Sequence, residues 1–326
     1  MEKISVIGAG SWGTTLAVLL GEKGFDVKLW TRREELAREI EIKRENSQYL
    51  PGIRMPANVI ADYSIKNAVG KSTIIISAVP SEFLRHTLKE IKPFFTDQIV
   101  VSVTKGIEHE TGKRMSQVIE DELGQRAKIV VLSGPNHAEE VSRKFPTASV
   151  VASKSRSSAN LVAECLGTQR LKLYQLSDVV GVEICGAMKN IAAIAAGVCD
   201  GFGFGDNARS SIITLGLHEM SNFGRHFGAK RGTFYGLAGV GDLIATSVSR
   251  HSRNRFVGEQ LAKGKTMAEI RKEMHGMIAE VVPTTKAVYE YSLKHNIELP
   301  LAHQAYEVLF KNKDIKVAIE DLLNLI

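Results

Sequence analysis

The stretch Gly8-Ala9-Gly10-Ser11-Trp12-Gly13 constrains this chain most, because it stands between an apolar run, Ile4-Ser5-Val6-Ile7, and a helix-like run over 14–23. Strand, glycine turn, helix is the start of a βαβ unit. Each glycine then has a mechanical reason: Gly8 for the tight turn, Gly10 for close approach of a pyrophosphate to the backbone, Gly13 for packing the helix on the strand. The free N–H groups and positive dipole end of that helix would face the phosphates. Alone, such a glycine pattern also suits a simple loop; its position here favours dinucleotide binding.

Residues 26–30 read as a second strand and lead into Thr31-Arg32-Arg33. A site for NAD usually carries an acid at this strand end to take the ribose 2′-hydroxyl, whereas arginine accommodates a 2′-phosphate. Arg32 and Arg33 therefore tilt the expected cofactor to NADP(H), with NAD(H) as the alternative, although a solvated helix start would also suit them. A buried-type strand follows over 72–79, then the helical pattern 81–91 and a near-continuously hydrophobic strand over 99–103, and the alternation continues with strands over 129–132, 148–152 and 171–176. The 99–103 strand delivers Thr104-Lys105-Gly106 at its carboxyl end, where open α/β sheets bind ligands. The 129–132 strand ends at Ser133-Gly134-Pro135-Asn136-His137-Ala138. From 179 strand signals stop, and helical patterns cover 179–198, 209–227, 253–263, 267–275, 284–295 and 301–310. The expected fold is α/β: an N-terminal doubly wound Rossmann-type domain over 1–178, then a C-terminal all-helical, substrate-binding domain over 179–326.

Composition narrows the partners. The net charge of +6 asks for something anionic, but the basic residues are spread along the chain without aromatic interleaving. Small anionic molecules are expected rather than nucleic acid. No unbroken apolar run approaches the ~20 residues of a membrane span, so no membrane insertion is expected. The first strand begins almost at Met1 and leaves no room for a secretory signal, which predicts a cytoplasmic protein. Cys165, Cys185 and Cys199 form no Cys-x-x-Cys pair, and after His218-Glu219 the second histidine of a zinc helix is replaced by Asn222. No metal is expected.

A nicotinamide enzyme needs a group that donates or accepts the proton of a hydroxyl while hydride moves to or from carbon. Lys189 and Asn190 interrupt a small, apolar helical face, Gly186-Ala187-Met188 before them and Ile191-Ala192-Ala193 after. Burial would lower the affinity of Lys189 for its proton, as proton transfer near neutrality requires; periodicity alone equally allows a lysine snorkelling from a helix edge. Lys105 is a second cation for substrate, or a loop lysine. Asp242, among the glycines of Gly239-Val240-Gly241-Asp242-Leu243, could hydrogen-bond a substrate hydroxyl, orient a lysine or cap the next helix. Ser252-Arg253-Asn254-Arg255 precedes a helix and could gather a phosphate, or be a solvated basic loop. His137 lacks a carboxylate partner in the sequence.

Together these residues carry a resemblance. Gly8 to Gly13, Val103-Thr104-Lys105-Gly106-Ile107-Glu108, Ser133-Gly134-Pro135, Gly186-Ala187-Met188-Lys189-Asn190, Gly236-Leu237-Ala238-Gly239-Val240-Gly241-Asp242-Leu243, Ser252-Arg253-Asn254 and Glu280 stand in the order and spacing of the bacterial NAD(P)-dependent glycerol-3-phosphate dehydrogenases, which the chain resembles over nearly its whole length. The resemblance implies reduction of dihydroxyacetone phosphate to sn-glycerol 3-phosphate for glycerophospholipid synthesis, by a cytoplasmic homodimer. It implies Lys189 as the proton-transferring residue, and Lys105, Gly134, Asn136, Asp242, Ser252, Arg253 and Asn254 as the substrate set. It implies Ser11, Trp12, Arg32, Arg33, Ala138, Ile278 and Glu280 for the cofactor, with Lys105 and Arg253 also near it. The chain departs from the family in having Asn136 where Ser or Thr is usual and Val281 where glycine follows the glutamate. Two other readings fit the same domains: a ketopantoate or hydroxyacid reductase, and a non-catalytic NADP(H)-binding sensor.

Overall fold

The computed structural model describes residues 2–274 and 281–324. The chain divides into two compact units, one of Met1–Thr104 with Met115–Val179, the other of Lys105–Arg114 with Val180–Ile326. The second unit thus takes in a segment from the middle of the chain of the first, Lys105–Arg114, drawn together by a bridge between Ile107 and Arg114.

The first unit is an eight-stranded sheet of β1 (Lys3–Ile7), β2 (Asp26–Trp30), β3 (Val59–Asp62), β4 (Ile74–Ser77), β5 (Ile99–Ser102), β6 (Lys128–Ser133), β7 (Thr147–Ala152) and β8 (Leu171–Leu176), in the order β3-β2-β1-β4-β5-β6-β7-β8. β1 to β6 are parallel, with Ile4 opposite Val27 on one side and Ile74 on the other. Alternate side chains enter two cores, one on each face. Ile4, Val6, Ile74 and Ile76 pack with Leu16 and Leu20 of the Ser11–Glu22 helix, while Ile7, Ile75 and Val100 meet Leu84, Leu88 and Val118. That is the doubly wound arrangement expected from the hydrophobic alternation. β7 departs from it by running antiparallel to β6. The connecting segment holds only the five-residue helix Ala138–Ser142, about 7 Å long, too short to carry the chain back along the sheet for a parallel crossover.

The second unit is helical, as expected. Its centre is the 24-residue helix Val179–Phe202. The longest candidate apolar runs in the sequence, 74–79 and 191–199, are far short of membrane length. By overall length and composition this helix is nevertheless long and apolar enough to span a bilayer, but 89% of its most apolar window is buried. Its length of apolar sequence belongs to a core helix enclosed by its neighbours, with Glu183, Lys189 and Asn190 as buried polar exceptions.

Candidate active site

In the α/β unit the glycine loop has the geometry its sequence asks for. Gly8 has φ +115°, and a Cβ there would lie 2.7 Å from the carbonyl oxygen of Ala78. A Cβ on Gly13 would overlap the carbonyl oxygen of Gly8, so the helix seats on the end of β1 only through a glycine. Gly10 differs: nothing lies within 4 Å of where its Cβ would be. It precedes the Ser11–Glu22 helix without a side-chain cap, leaving the first-turn N–H groups for a ligand. The buried indole N–H of Trp12 has no partner among the described residues. An uncapped helix start, an open face at Gly10 and an orphaned donor at Trp12 fit a dinucleotide pyrophosphate.

Asn46, fully buried, donates from Nδ2 to the carbonyl of Ala9 at 2.9 Å and to Thr14 Oγ1 at 2.8 Å, tying the loop from behind. Sequence reading missed it, since nothing local links Asn46 to the loop. Arg32 and Arg33 are exposed at the end of β2. Arg32 lies over the Phe83 ring at 5.4 Å, and Arg33 over Tyr49 at 5.5 Å while donating to Gln48 Oε1 at 2.8 Å. Ala138 adjoins the first helix, its carbonyl accepting from Thr15 Oγ1 at 3.3 Å. Gly134 has φ +133° and its Cβ would meet Ser149 Oγ at 2.7 Å; Asn136 Nδ2 donates to that same hydroxyl at 3.2 Å. His137 is the N-cap residue of the Ala138–Ser142 helix, and its side chain makes no hydrogen bond to the helix start. Ile278 and Glu280 lie outside the described residues; Val281 begins the helix Val281–His295 with its side chain buried.

In the helical unit Lys189 is buried, at 6% exposure, and does not snorkel. Its Nζ donates to Asp242 Oδ1 at 2.5 Å and to Thr246 Oγ1 at 2.6 Å. Lys105 Nζ donates to the other carboxylate oxygen of Asp242 at 3.0 Å. Asp242 therefore bridges two ammonium groups. Its placement comes from the backbone. The turn Leu237–Gly241 is π-helical, and a Cβ on Gly239 would overlap the carbonyl of Phe234. The helix Asp242–Val248 begins at this point with Gly241 as its N-cap, so the aspartate faces the lysines and is not the cap. Thr246, four residues on, shares its helix face. That spacing was the available signal for a residue the sequence reading missed.

Burial lowers the Lys189 pKa to about 7; Asp242 resists this and the Lys105 charge adds to it. Burial alone would raise Asp242, but Lys105 and Lys189 together hold it below its ordinary value. The cluster thus contains an ionised carboxylate and a lysine able to give or take a proton near neutrality. Beside it, Asn190 Oδ1 accepts from Asn254 Nδ2 at 2.9 Å. Ser252 caps the helix Arg253–Ala262, its Oγ accepting from the Arg255 N–H, and Arg253 is exposed at the first position.

A glycine loop opening the first helix of a Rossmann-type unit, joined in one chain to a helical unit with a buried lysine of near-neutral pKa, defines the two-domain dinucleotide-dependent dehydrogenases. Family models described as NAD-dependent glycerol-3-phosphate dehydrogenase N-terminus and C-terminus match residues 3–159 and 178–320. A protein of Chlorobium phaeobacteroides named glycerol-3-phosphate dehydrogenase [NAD(P)+] is 49% identical over 98% of this chain and 97% of its own length. The crystal structure of glycerol-3-phosphate dehydrogenase from Coxiella burnetii superposes with a TM-score of 0.96 at 36% identity, covering 99% of this chain and 98% of that one. The yeast enzyme gives 0.83 at 30% identity, covering 98% of both chains. This chain belongs to the NAD-dependent glycerol-3-phosphate dehydrogenase family.

Proposed function

We propose that the chain catalyses the reversible NAD(P)H-dependent reduction of dihydroxyacetone phosphate to sn-glycerol 3-phosphate. The observation that carries this reading is Lys189, buried against an ionised Asp242 and brought to a pKa of about 7, in a chain whose relatives are named for that activity. When bound, the nicotinamide supplies a hydride to C2 of the ketone. Lys189 gives its proton to the oxygen that becomes the hydroxyl, and takes it back in the oxidation. Asp242 and Thr246 aim the ammonium, and Lys105 lowers its proton affinity. Ser252, Arg253 and Asn254 collect the phosphate at a helix start. Lys105, Gly134 and Asn136 complete the substrate set. Gly8, Gly10, Ser11, Trp12, Gly13, Arg32, Arg33 and Ala138 hold the cofactor, with Lys105 and Arg253 also near it. Arg32 and Arg33 favour NADPH over NADH. The protein acts as a cytoplasmic homodimer that supplies glycerophospholipid synthesis.

The test is oxidation of NADPH and of NADH, side by side, with dihydroxyacetone phosphate and with ketopantoate. Turnover with dihydroxyacetone phosphate, faster with NADPH, is expected. Turnover with ketopantoate alone would replace the substrate assignment, and a strong preference for NADH would overturn the reading of the two arginines.

A further inference from the structure

The helix Arg253–Ala262 lies against the Lys189-bearing helix Val179–Phe202 closely enough that only glycine fits at three positions. A Cβ on Gly197 would overlap the carbonyl oxygen of Arg255, and one on Gly258 would overlap that of Ile194. One on Gly201 would come within 2.6 Å of the Ala262 Cβ. The glycines set how closely the two helices approach, and polar side chains at both ends of the contact add to what holds them in register. Two polar contacts flank the glycine seam. Near Lys189 it is Asn254 Nδ2 to Asn190 Oδ1 at 2.9 Å. At the far end it is Asp200, whose Oδ2 accepts from Arg255 Nη1 at 2.5 Å and whose Oδ1 accepts from Arg209 Nη1 at 2.9 Å. The same Arg255 guanidinium donates through Nε to the carbonyl of Ser249 at 3.1 Å, fastening the turn that leads into Ser252. One planar fork thus ties the 249–252 turn to the helix that carries Lys189.

We infer that Asp200, acting through Arg255, is a positioning residue that sets where the substrate phosphate is held relative to Lys189. The inference rests on the phosphate seat proposed at Ser252–Asn254. Asp200 touches no substrate atom. It holds the turn that does, so its removal weakens recognition of the phosphate without touching the proton donor.

The test compares two ketones in the full-length chain, dihydroxyacetone phosphate and unphosphorylated dihydroxyacetone, with inorganic phosphate as a competitive inhibitor of the first. In Asp200→Asn, kcat/KM for the phosphorylated ketone is expected to fall by about 10²-fold, the scale of a displacement of about 1 Å. The inhibition constant for phosphate rises with it, kcat/KM for dihydroxyacetone stays at the wild-type value, and Asp200→Glu recovers part of the loss. Equal losses on both ketones would show a merely structural role and overturn the inference, as would an unchanged phosphate inhibition constant. Should Asp200→Asn fail to fold, Arg255→Lys carries the same comparison, because a lysine keeps the charge but not the fork. A wild-type chain that leaves dihydroxyacetone phosphate unreduced overturns the substrate reading itself. A wild type that reduces it, beside a variant without selective loss, overturns only the role of Asp200.

Discussion

A buried lysine keeps its proton only as firmly as its neighbours allow, and at Lys189 the loss of hydration outweighs the attraction of Asp242. With a pKa of about 7 it is largely protonated below neutrality and largely neutral above it. If it is the proton donor, kcat/KM for ketone reduction falls as pH rises through about 7, and alcohol oxidation, which needs the neutral amine, rises over the same interval. Initial rates in both directions across neutrality check this; parallel profiles would remove Lys189 from the step. Lys189→Ala is expected to lower kcat by about 10² to 10⁴-fold, the usual worth of a positioned acid–base group, while leaving cofactor binding intact. Asp242 answers to a different magnitude. Removing one partner of a buried ion pair costs roughly 3–5 kcal/mol, so Asp242→Ala should lower stability as well as rate, seen as a lower unfolding midpoint.

The elements separate what a glycine does for the fold from what it does for a ligand. Gly13 lies under the carbonyl of Gly8, so Gly13→Ala forces the helix Ser11–Glu22 off the strand end, with an expected loss of about 1–3 kcal/mol in unfolding free energy. Gly10 has open space and an ordinary extended backbone, φ −76° and ψ −178°. Gly10→Ala should therefore lose only about 1 kcal/mol or less, the scale of a changed helix cap, and lose dinucleotide affinity strongly, because its methyl group occupies the face left for the pyrophosphate. Cofactor fluorescence titration beside denaturant unfolding distinguishes the two variants. Similar behaviour in both measurements would mean that Gly10 serves the fold and not the cofactor.

Over the whole molecule, a buried carboxylate far in sequence from its partners makes stability depend on pH. Glu219, in the helix Gly205–His226, is 2% exposed and takes the N–H groups of Leu301 and Ala302 at the start of the helix Pro300–Lys311. Burial raises its pKa to about 7, although the two N–H groups pull the other way. The sign follows from linkage: with the folded value above the unfolded value of 4.5, its stabilising contribution is fully present below 4.5 and is lost as pH rises through about 7. The interval corresponds to about 3 kcal/mol. In Glu219→Gln that decline should flatten, since glutamine keeps an acceptor for the helix start and cannot ionise. An identical slope in wild type and variant, measured by denaturant unfolding from acid to neutral pH, would rule the group out as its source.

The sequence by itself determined the local features: the strand-glycine-helix start, the buried parallel strands, the change to helices near residue 179, and the residue types that could carry the chemistry. These depend on neighbours a few positions apart, so periodicity and turn residues report them. Only the tertiary structure decided the rest. Whether Lys189 is enclosed or snorkels depends on what packs around its helix, and its partner Asp242 stands 53 residues away, with Lys105 another 137 from that aspartate. Asp242 looked suited to capping a helix, but the π-helical turn before it places the carboxylate between two lysines. β7 reads as one more buried strand, and its antiparallel direction follows from the short helix that precedes it. Proton affinity and ion pairing are set by whatever lies within a few ångströms, and only folding decides which residues those are.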